Sequence, residues 1–259
     1  MSLNRRRPGP ILAASLLGVV ALTAAFYFKP LPALEDKGLL LSDASVLVEA
    51  GPGGLSFSPT GASPSGAVKV TGIVFYCGAR VSPEAYAYLA RACALAGYTA
   101  VLPSMPLNFA ILDPSRASSV AADHPEVSRW VIAGHSLGGA AAASYVSRNA
   151  QAEAAIAVGG LLLFASYPGR GADLSTKSLT VVTVCASRDP LASPDKIAAA
   201  GIRLPAASRY VEIAGGNHAQ FGEYGPQRGD GIAEIPGPTQ RKAAVEEALG
   251  LLDRVEAGK

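Results

Sequence analysis

The sequence predicts an α/β fold, with a mostly parallel central sheet and helices on both of its faces. Short apolar runs rich in β-branched residues recur along the chain, and most of them are separated by segments of helical composition. Runs that are apolar throughout are typical of strands buried on both faces of a parallel sheet. With 49% hydrophobic and 16% charged residues, the 259-residue chain can bury one full core of this kind after its N-terminal leader.

The leader, residues 1–29, has a basic start and an apolar body. Arg5-Arg6-Arg7 precedes an uncharged stretch over residues 11–28, which as a helix spans about 27 Å, close to a hydrocarbon core of about 30 Å. We therefore predict a single-pass anchor in the cell membrane. The rest of the chain is expected outside the cytoplasm, because the arginines favour an inside N-terminus. A cleaved signal peptide ending near Thr23-Ala24-Ala25, and hence a secreted protein, is the alternative.

Residues 30–43 contain two prolines and are predicted to be a linker, and residues 44–259 are predicted to be the globular domain. The domain begins with an antiparallel hairpin at the edge of the sheet, formed by residues 45–48 and 55–58. Further strands and helices then alternate, with strands predicted at 70–76, 99–102, 130–133, 160–165, 179–185 and 210–213, and helices at 83–96, after residue 138 and at 241–255. No insertion between these elements is long enough for a large lid.

The pentapeptide Gly134-His135-Ser136-Leu137-Gly138 lies between a predicted strand and a run of small helix formers. This is the context of a strand-to-helix turn that exposes a serine hydroxyl as a nucleophile. Such a turn strains the backbone of its serine and crowds the residues two before and two after it, and glycine at both places relieves the crowding. Ser136 is therefore the predicted nucleophile, and an ordinary turn with an incidental serine is the alternative.

A nucleophilic serine needs a histidine as base, and this architecture places the histidine last in the chain order Ser, Asp or Glu, His. The chain holds three histidines, of which His124 precedes Ser136 and His135 adjoins it in the turn. His218 lies in a glycine-flanked loop directly after a predicted strand. We therefore predict that His218 is the base.

The acid that orients the histidine should follow another strand between the two. Asp189 follows the strand at 179–185, on the side where open α/β sheets collect their functional groups. Asp195 is a rival, but Ser193 and Pro194 before it are typical of a helix start, where an acid favours the helix dipole. Asp173, in a polar loop, is a second rival. Asp189 is the predicted acid.

The oxyanion of a tetrahedral intermediate needs two N–H donors. One is predicted to be the amide of Leu137, the residue after the nucleophile, at the positive end of the following helix. The second is expected from the loop after the strand at 70–76. There the amide of Ala79 is the first choice, and that of Gly78 is the alternative.

Taken together, these motifs resemble the α/β-hydrolase superfamily, and in particular the small, lidless bacterial serine hydrolases grouped near the dienelactone hydrolases. The resemblance runs from about residue 44 to the C-terminus and rests on segments 75–81, 134–139, 165–168, 187–189 and 215–222. It implies an α/β-hydrolase fold and a Ser-Asp-His triad. The dienelactone hydrolases themselves use cysteine as nucleophile, whereas this chain carries Ser136, so their substrates are not carried over.

The resemblance also implies a reaction class. We expect a serine hydrolase that cleaves carboxylic ester or thioester bonds of a small or medium substrate through an acyl-enzyme on Ser136. An acyltransferase with the same triad is one alternative, and a catalytically silent binding protein with this fold is another. Two loops are predicted to contact the substrate: the apolar loop at 103–109, through Met105, Leu107 and Phe109, and the glycine- and proline-rich loop at 221–238, through Phe221.

Motif content and net charge limit the kinds of cofactor and partner that the chain is expected to bind. No cofactor or metal is expected, because the chain has no phosphate-binding glycine loop and no Cys/His cluster with metal-ligand spacing. A formal net charge of +2 gives no electrostatic basis for binding nucleic acid. The expected partners are a small ester or acyl substrate and, through the leader, the membrane. The three cysteines are expected to be buried free thiols.

Overall fold

A computed structural model describes residues 29–34, 38–149 and 156–258. The anchor or signal peptide predicted over residues 1–29 lies, except for Lys29, outside the described residues and stays a prediction. Within the described ranges, no helix is both long enough and apolar enough to cross a membrane. A compact unit begins at Leu31, which forms a parallel bridge with Val81. Part of the segment predicted as a linker therefore contacts the domain.

The described residues form one eight-stranded sheet, and its strands correspond to the eight segments predicted as strands. In chain order they are β1 (Val46–Gly51), β2 (Gly54–Pro59), β3 (Thr71–Tyr76), β4 (Thr99–Pro103), β5 (Arg129–His135), β6 (Val158–Phe164), β7 (Thr180–Ala186) and β8 (Arg209–Ile213). Their spatial order is β1-β2-β4-β3-β5-β6-β7-β8. The first two pairings are antiparallel and the others are parallel. The predicted α/β fold, with a hairpin at one edge, is confirmed.

Helices cover both faces of the sheet. They are α1 (Ala87–Leu95), α2 (Arg116–Asp123), α3 (Leu137–Asn149), α4 (Pro194–Ala200) and α5 (Gly237–Glu256). Apolar residues of α1 and α5 belong to one core cluster, and those of α2 and α3 belong to the other. Along β3, Ile73 and Phe75 join the first cluster, while Val74 and Tyr76 join the second. Because successive side chains of a strand point to opposite faces, a strand that is apolar throughout serves both cores.

Several element boundaries differ from the sequence prediction by a few residues, and the starts of two helices show why. The helix expected over residues 83–96 begins as a 3-10 turn, Pro83–Tyr86, and becomes α1 only at Ala87. The last helix begins at Gly237 rather than at residue 241, because Pro238 is tolerated in the first turn, where its missing N–H has no intrahelical acceptor. Neither change alters the order of the elements.

Candidate active site

Ser136 occupies the turn between β5 and α3, with a positive backbone φ of 53°. A left-handed conformation is unfavourable for a residue with a Cβ, so it persists only where surrounding contacts hold it. Two such contacts flank Ser136. Its N–H donates to the Phe164 carbonyl of β6 at 2.9 Å, and the Ser166 hydroxyl donates to its carbonyl at 2.6 Å. The serine is half-buried at the carboxyl end of β5.

The glycines around Ser136 are required by close backbone contacts. A Cβ at Gly134 would lie 2.6 Å from the Gly138 carbonyl carbon. A Cβ at Gly138 would lie 2.2 Å from the Cys77 carbonyl oxygen and 2.3 Å from that of Tyr76. These distances are far below van der Waals contact, so the predicted crowding on both sides of the serine is present in the structure. The second contact also packs the start of α3 directly against the loop after β3.

Asp189 and His218 form a buried pair at the same edge of the sheet. His218 Nδ1–H donates to Asp189 Oδ2 at 2.7 Å, and the two residues are only 1% and 2% exposed, respectively. Asp189 Oδ1 accepts from the amides of Leu191 and Ala192 at 2.8 and 2.9 Å. Since these amides and the imidazole use both carboxylate oxygens, the acid is held in one orientation toward Nδ1. The orientation leaves Nε2 of His218 as the nitrogen that faces away from the acid.

The loop that carries His218 is anchored by two side chains. Asp230 accepts from the His218 amide through Oδ1 at 3.0 Å and from the Ala219 amide through Oδ2 at 2.7 Å. Gln240 of α5, which is fully buried, exchanges two hydrogen bonds with the backbone of Asn217, at 2.9 and 2.7 Å. The imidazole is therefore fixed through its backbone as well as through Asp189.

No hydrogen bond joins Ser136 to His218 among the described residues. The ring of His135, the residue before the serine, lies 4.6 Å from the ring of His218 between centroids. His218 Nε2 is buried and has no partner in the described part of the chain. Catalytic hydrogen bonds are commonly long or misaligned without substrate, so this geometry is compatible with a base that engages the serine later.

Gly78 and Ala79, the two candidate oxyanion donors in the loop after β3, differ in their hydrogen bonds. The Gly78 N–H donates to Tyr86 Oη at 3.2 Å, and Tyr86 is fully buried. The amides of Ala79 and Leu137 have no acceptor among the described residues. The Gly78 N–H is therefore already bonded to Tyr86, whereas the Ala79 N–H can donate to an oxyanion.

His135 is a neutral, buried histidine. Burial lowers the pKa of its imidazole well below 6.5, and the neighbouring His218 lowers it further. Tyr86 Oη lies 2.8 Å from His135 Nδ1. The tyrosine hydroxyl therefore bonds to both the Gly78 amide and the His135 ring. His135 thus links the loop after β3 to the turn that bears Ser136.

The two rival acids lie elsewhere. Asp195 is in the first turn of α4, which Ser193 caps by accepting from the Lys196 amide. Asp173 accepts from the amide and the hydroxyl of Ser175 in a surface loop. Neither is bonded to His218, so of the three acids considered from the sequence only Asp189 contacts the imidazole.

The four residues predicted to contact substrate are placed very differently. Leu107 is 65% exposed and Phe109 is half-buried, both in the loop after β4. Met105 is 8% exposed and packs in the core beneath α2 and α3. Phe221 has no exposed surface, since its ring stacks on Phe164 at 5.3 Å and lies 5.7 Å from His135. Phe221 is thus a packing residue behind the histidine, and its expected substrate contact is not available in this structure.

Besides Gln240, three polar residues of the site were missed at the level of sequence: Tyr86, Ser166 and Asp230. Their partners are Gly78 and His135 for Tyr86, the Ser136 carbonyl for Ser166, and the His218 loop for Asp230. A weak signal existed only for Asp230, which lies in a Gly-Asp-Gly triplet typical of a tight turn.

The cysteines do not provide a reactive thiol at the site. Cys77, Cys93 and Cys185 are all free and buried, as predicted, and burial raises the pKa of each thiol, to about 12 for Cys93 and about 11 for Cys185. Cys77 is thus a poor nucleophile although it precedes Gly78. No group of three or more potential metal ligands occurs within the described ranges.

Comparisons with known proteins identify the family and the fold. A family model described as "Alpha/beta hydrolase family" matches residues 72–242. Among solved structures, the chain is similar to one described as "Structure of an alpha-beta serine hydrolase homologue from Coxiella burnetii". The two are 16% identical with a TM-score of 0.51, and the match covers 80% of this chain and 98% of the other. At that identity the likeness concerns the fold. No curated protein sequence matches significantly.

Proposed function

The chain belongs to the alpha/beta hydrolase family, and from that premise we propose that it is a serine hydrolase that cleaves carboxylic ester or thioester bonds of a small or medium substrate. One observation supports this most directly. Ser136 sits in a left-handed turn at the carboxyl end of β5, beside a buried Asp189–His218 pair at the same edge of the sheet. A nucleophile, a base and an orienting acid are the groups that acyl transfer requires.

In the proposed reaction, Ser136 Oγ attacks the acyl carbonyl while His218 Nε2 accepts its proton. The buried Asp189 keeps the proton of the neutral imidazole on Nδ1, so that Nε2 is free to act as base, and stabilises the imidazolium that forms. His218 then protonates the leaving alcohol or thiol, which leaves the acyl group on Ser136. Water, deprotonated by the same histidine, releases the acid and restores the serine.

The amides of Leu137 and Ala79 are proposed as the donors to the oxyanion. Leu137 opens α3, so its N–H has no acceptor within the helix and lies at the positive end of the helix dipole. Ala79 is favoured over Gly78, because the Gly78 amide already donates to Tyr86. Losing one donor of this kind typically costs about 3–4 kcal/mol of transition-state stabilisation.

Substrate contacts are proposed for the loop after β4 only. Leu107 and Phe109 present apolar surface there, and the Arg80 amide donates to the Asn108 carbonyl at 2.8 Å, which ties this loop to the one carrying Ala79. Met105 and Phe221 support the site from the core. An acyl chain lying against Leu107 and Phe109 would place its carbonyl near the proposed donors.

The proposal is tested by labelling the purified full-length chain with a fluorophosphonate probe, followed by mass spectrometry of the modified peptide. We expect stoichiometric modification of Ser136. Labelling should be lost in Ser136→Ala and in His218→Ala, and kept in Ser119→Ala, which removes an exposed serine of α2. A folded chain that stays unlabelled would contradict the proposal. Product analysis with simple esters and thioesters, with and without an added alcohol, then separates hydrolysis from acyl transfer.

We further propose that residues 1–29 tether this domain to the cell membrane on its extracytoplasmic side. The support is the arginine cluster followed by 18 uncharged residues. The measurement is the N-terminus of the mature protein, by mass spectrometry, together with protease digestion of intact cells. An intact leader and a digestible domain are expected. A chain that begins after about residue 25 would instead indicate a secreted protein.

A further inference from the structure

The first four residues of the compact unit lie across the two loops of the proposed active site. We call residues 31–34 the strap. The Leu31 amide donates to the Arg80 carbonyl at 2.7 Å, and the Leu31 carbonyl accepts from the Ser82 amide at 3.0 Å. The Ala33 amide donates to the Ser82 hydroxyl at 3.2 Å. The strap therefore lies along the loop after β3 as a short parallel bridge, immediately beyond Ala79.

The other end of the strap is bonded to the histidine loop. The Leu34 amide donates to the Glu223 carbonyl at 2.8 Å, five residues after His218. Glu223 is itself held, because its carboxylate pairs with Arg241 of α5 at 2.6 Å and its amide donates to the Ala85 carbonyl at 2.8 Å. The strap thus connects a rigid point on the histidine loop to the segment that follows the proposed oxyanion donor.

Arg80 shows why this connection matters. Its φ is +66°, a conformation that an L-residue with a side chain adopts only when contacts hold it. Those contacts act on both sides of the residue. Its N–H donates to the Asn108 carbonyl at 2.8 Å, and its carbonyl accepts from Leu31. Without the strap, the restraint on the carbonyl of Arg80, the residue next to Ala79, is lost.

We propose that the strap is a positioning segment of the active site, which holds the Ala79 amide in register with Ser136 and His218. The inference rests on the proposed function, since it concerns the oxyanion donor of that reaction. Because its bonds are made by backbone amides at Leu31 and Leu34, the strap depends on main-chain donors more than on side chains. The segment that the sequence presents as a linker is then part of the catalytic apparatus.

The test uses matched pairs of variants in the full-length chain. The two members of a pair differ in whether one hydrogen-bonding group of the strap or its partner is kept. Leu31→Pro and Leu34→Pro each remove an amide proton, whereas Leu31→Ala and Leu34→Ala trim the same side chains and keep it. A third pair probes the hydroxyl at Ser82. Ser82→Ala removes it, and Ser82→Thr retains it. For every variant, kcat and KM for a soluble p-nitrophenyl ester, the rate of fluorophosphonate labelling and the thermal midpoint are measured.

We expect each proline variant to lower kcat and the labelling rate by about tenfold relative to its alanine partner, with KM within about twofold, since a displaced oxyanion donor weakens only the transition state. Ser82→Thr should recover the activity lost in Ser82→Ala. If the wild-type chain is labelled at Ser136 but the two variants of each pair have equal kcat values, the inference is overturned and the proposed function stays intact. Losses that merely follow the fraction of folded protein would overturn the inference in the same way. A wild-type chain unlabelled at Ser136 would remove the proposed function, and the inference with it.

Discussion

Tyr86 Oη lies 2.8 Å from His135 Nδ1 and also accepts a hydrogen bond from the Gly78 amide at 3.2 Å. This one hydroxyl therefore joins the loop after β3 to the residue before Ser136. The proposed oxyanion donor Ala79 lies in that loop, and the other donor, Leu137, directly follows Ser136. The distance between the two donors therefore depends on the tyrosine. Burial raises the pKa of Tyr86 well above its ordinary value, which keeps the hydroxyl protonated and able to donate.

Replacing Tyr86 by phenylalanine should reduce both turnover and stability. The change removes only the hydroxyl, and leaves the Gly78 amide and His135 Nδ1 without their partner in a buried place. We expect a loss of about 1–3 kcal/mol in the free energy of unfolding, and about a tenfold loss in kcat as the Ala79 donor shifts. Tyr88→Phe, which removes the hydroxyl bonded to the Phe221 carbonyl, is the matched control. Equal kcat losses in the two variants would argue against a special role for Tyr86.

Replacing Asp189 by asparagine should lower kcat by roughly 10³–10⁴-fold, because the imidazole loses the partner that sets its tautomer and stabilises its charged form. Asp195→Asn should leave kcat within about twofold and cost about 0.5 kcal/mol of stability, since it only removes a favourable charge from the first turn of α4. Steady-state kinetics on both variants decide between the two acids. Wild-type turnover in Asp189→Asn would remove that residue from the mechanism.

Adding a methyl group at Gly138 should distort the turn between β5 and α3 that carries Ser136. The new Cβ would meet backbone carbonyls of Tyr76 and Cys77, which cannot rotate away as a side chain would. We expect Gly138→Ala to cost about 1–3 kcal/mol of stability through overpacking and to abolish labelling of Ser136. Gly61→Ala, at an exposed glycine with no atom within 4 Å of the added carbon, is the control and should change stability by less than about 0.5 kcal/mol. Unfolding in denaturant measures both.

Stability should fall as the pH drops below about 6.5, because of His135. Its pKa is lowered in the folded protein, so the unfolded chain takes up a proton there at a higher pH than the folded chain does. The free energy of unfolding should therefore decrease, by up to about 1.4 kcal/mol per pH unit from this residue. The measurement is the denaturation midpoint between pH 7.5 and 5, in wild type and in His135→Gln. A slope that is the same in both would contradict the role assigned to His135.

The short-range features of this protein could be predicted from its sequence. The strands β3, β5 and β7 are continuous apolar runs, and such runs identify buried strands without knowledge of their neighbours. The turn at Ser136 is specified in the same way, because its glycines, its serine and the helix that follows all lie within a few residues. Asp189 and His218 could be selected because each lies in the loop that follows a strand, and parallel strands bring their carboxyl ends to one edge.

Other relationships were decided only by the tertiary structure. Tyr86 and His135 are 49 positions apart, and they meet because the sheet order places β3 beside β5. The interior position of Phe221 and the bonds of the strap to Arg80 and Glu223 likewise depend on how separate loops pack at one sheet edge. Periodicity and turn chemistry act within short windows of sequence. Contacts between loops depend on the order of the strands, and a pattern along the chain does not contain that order.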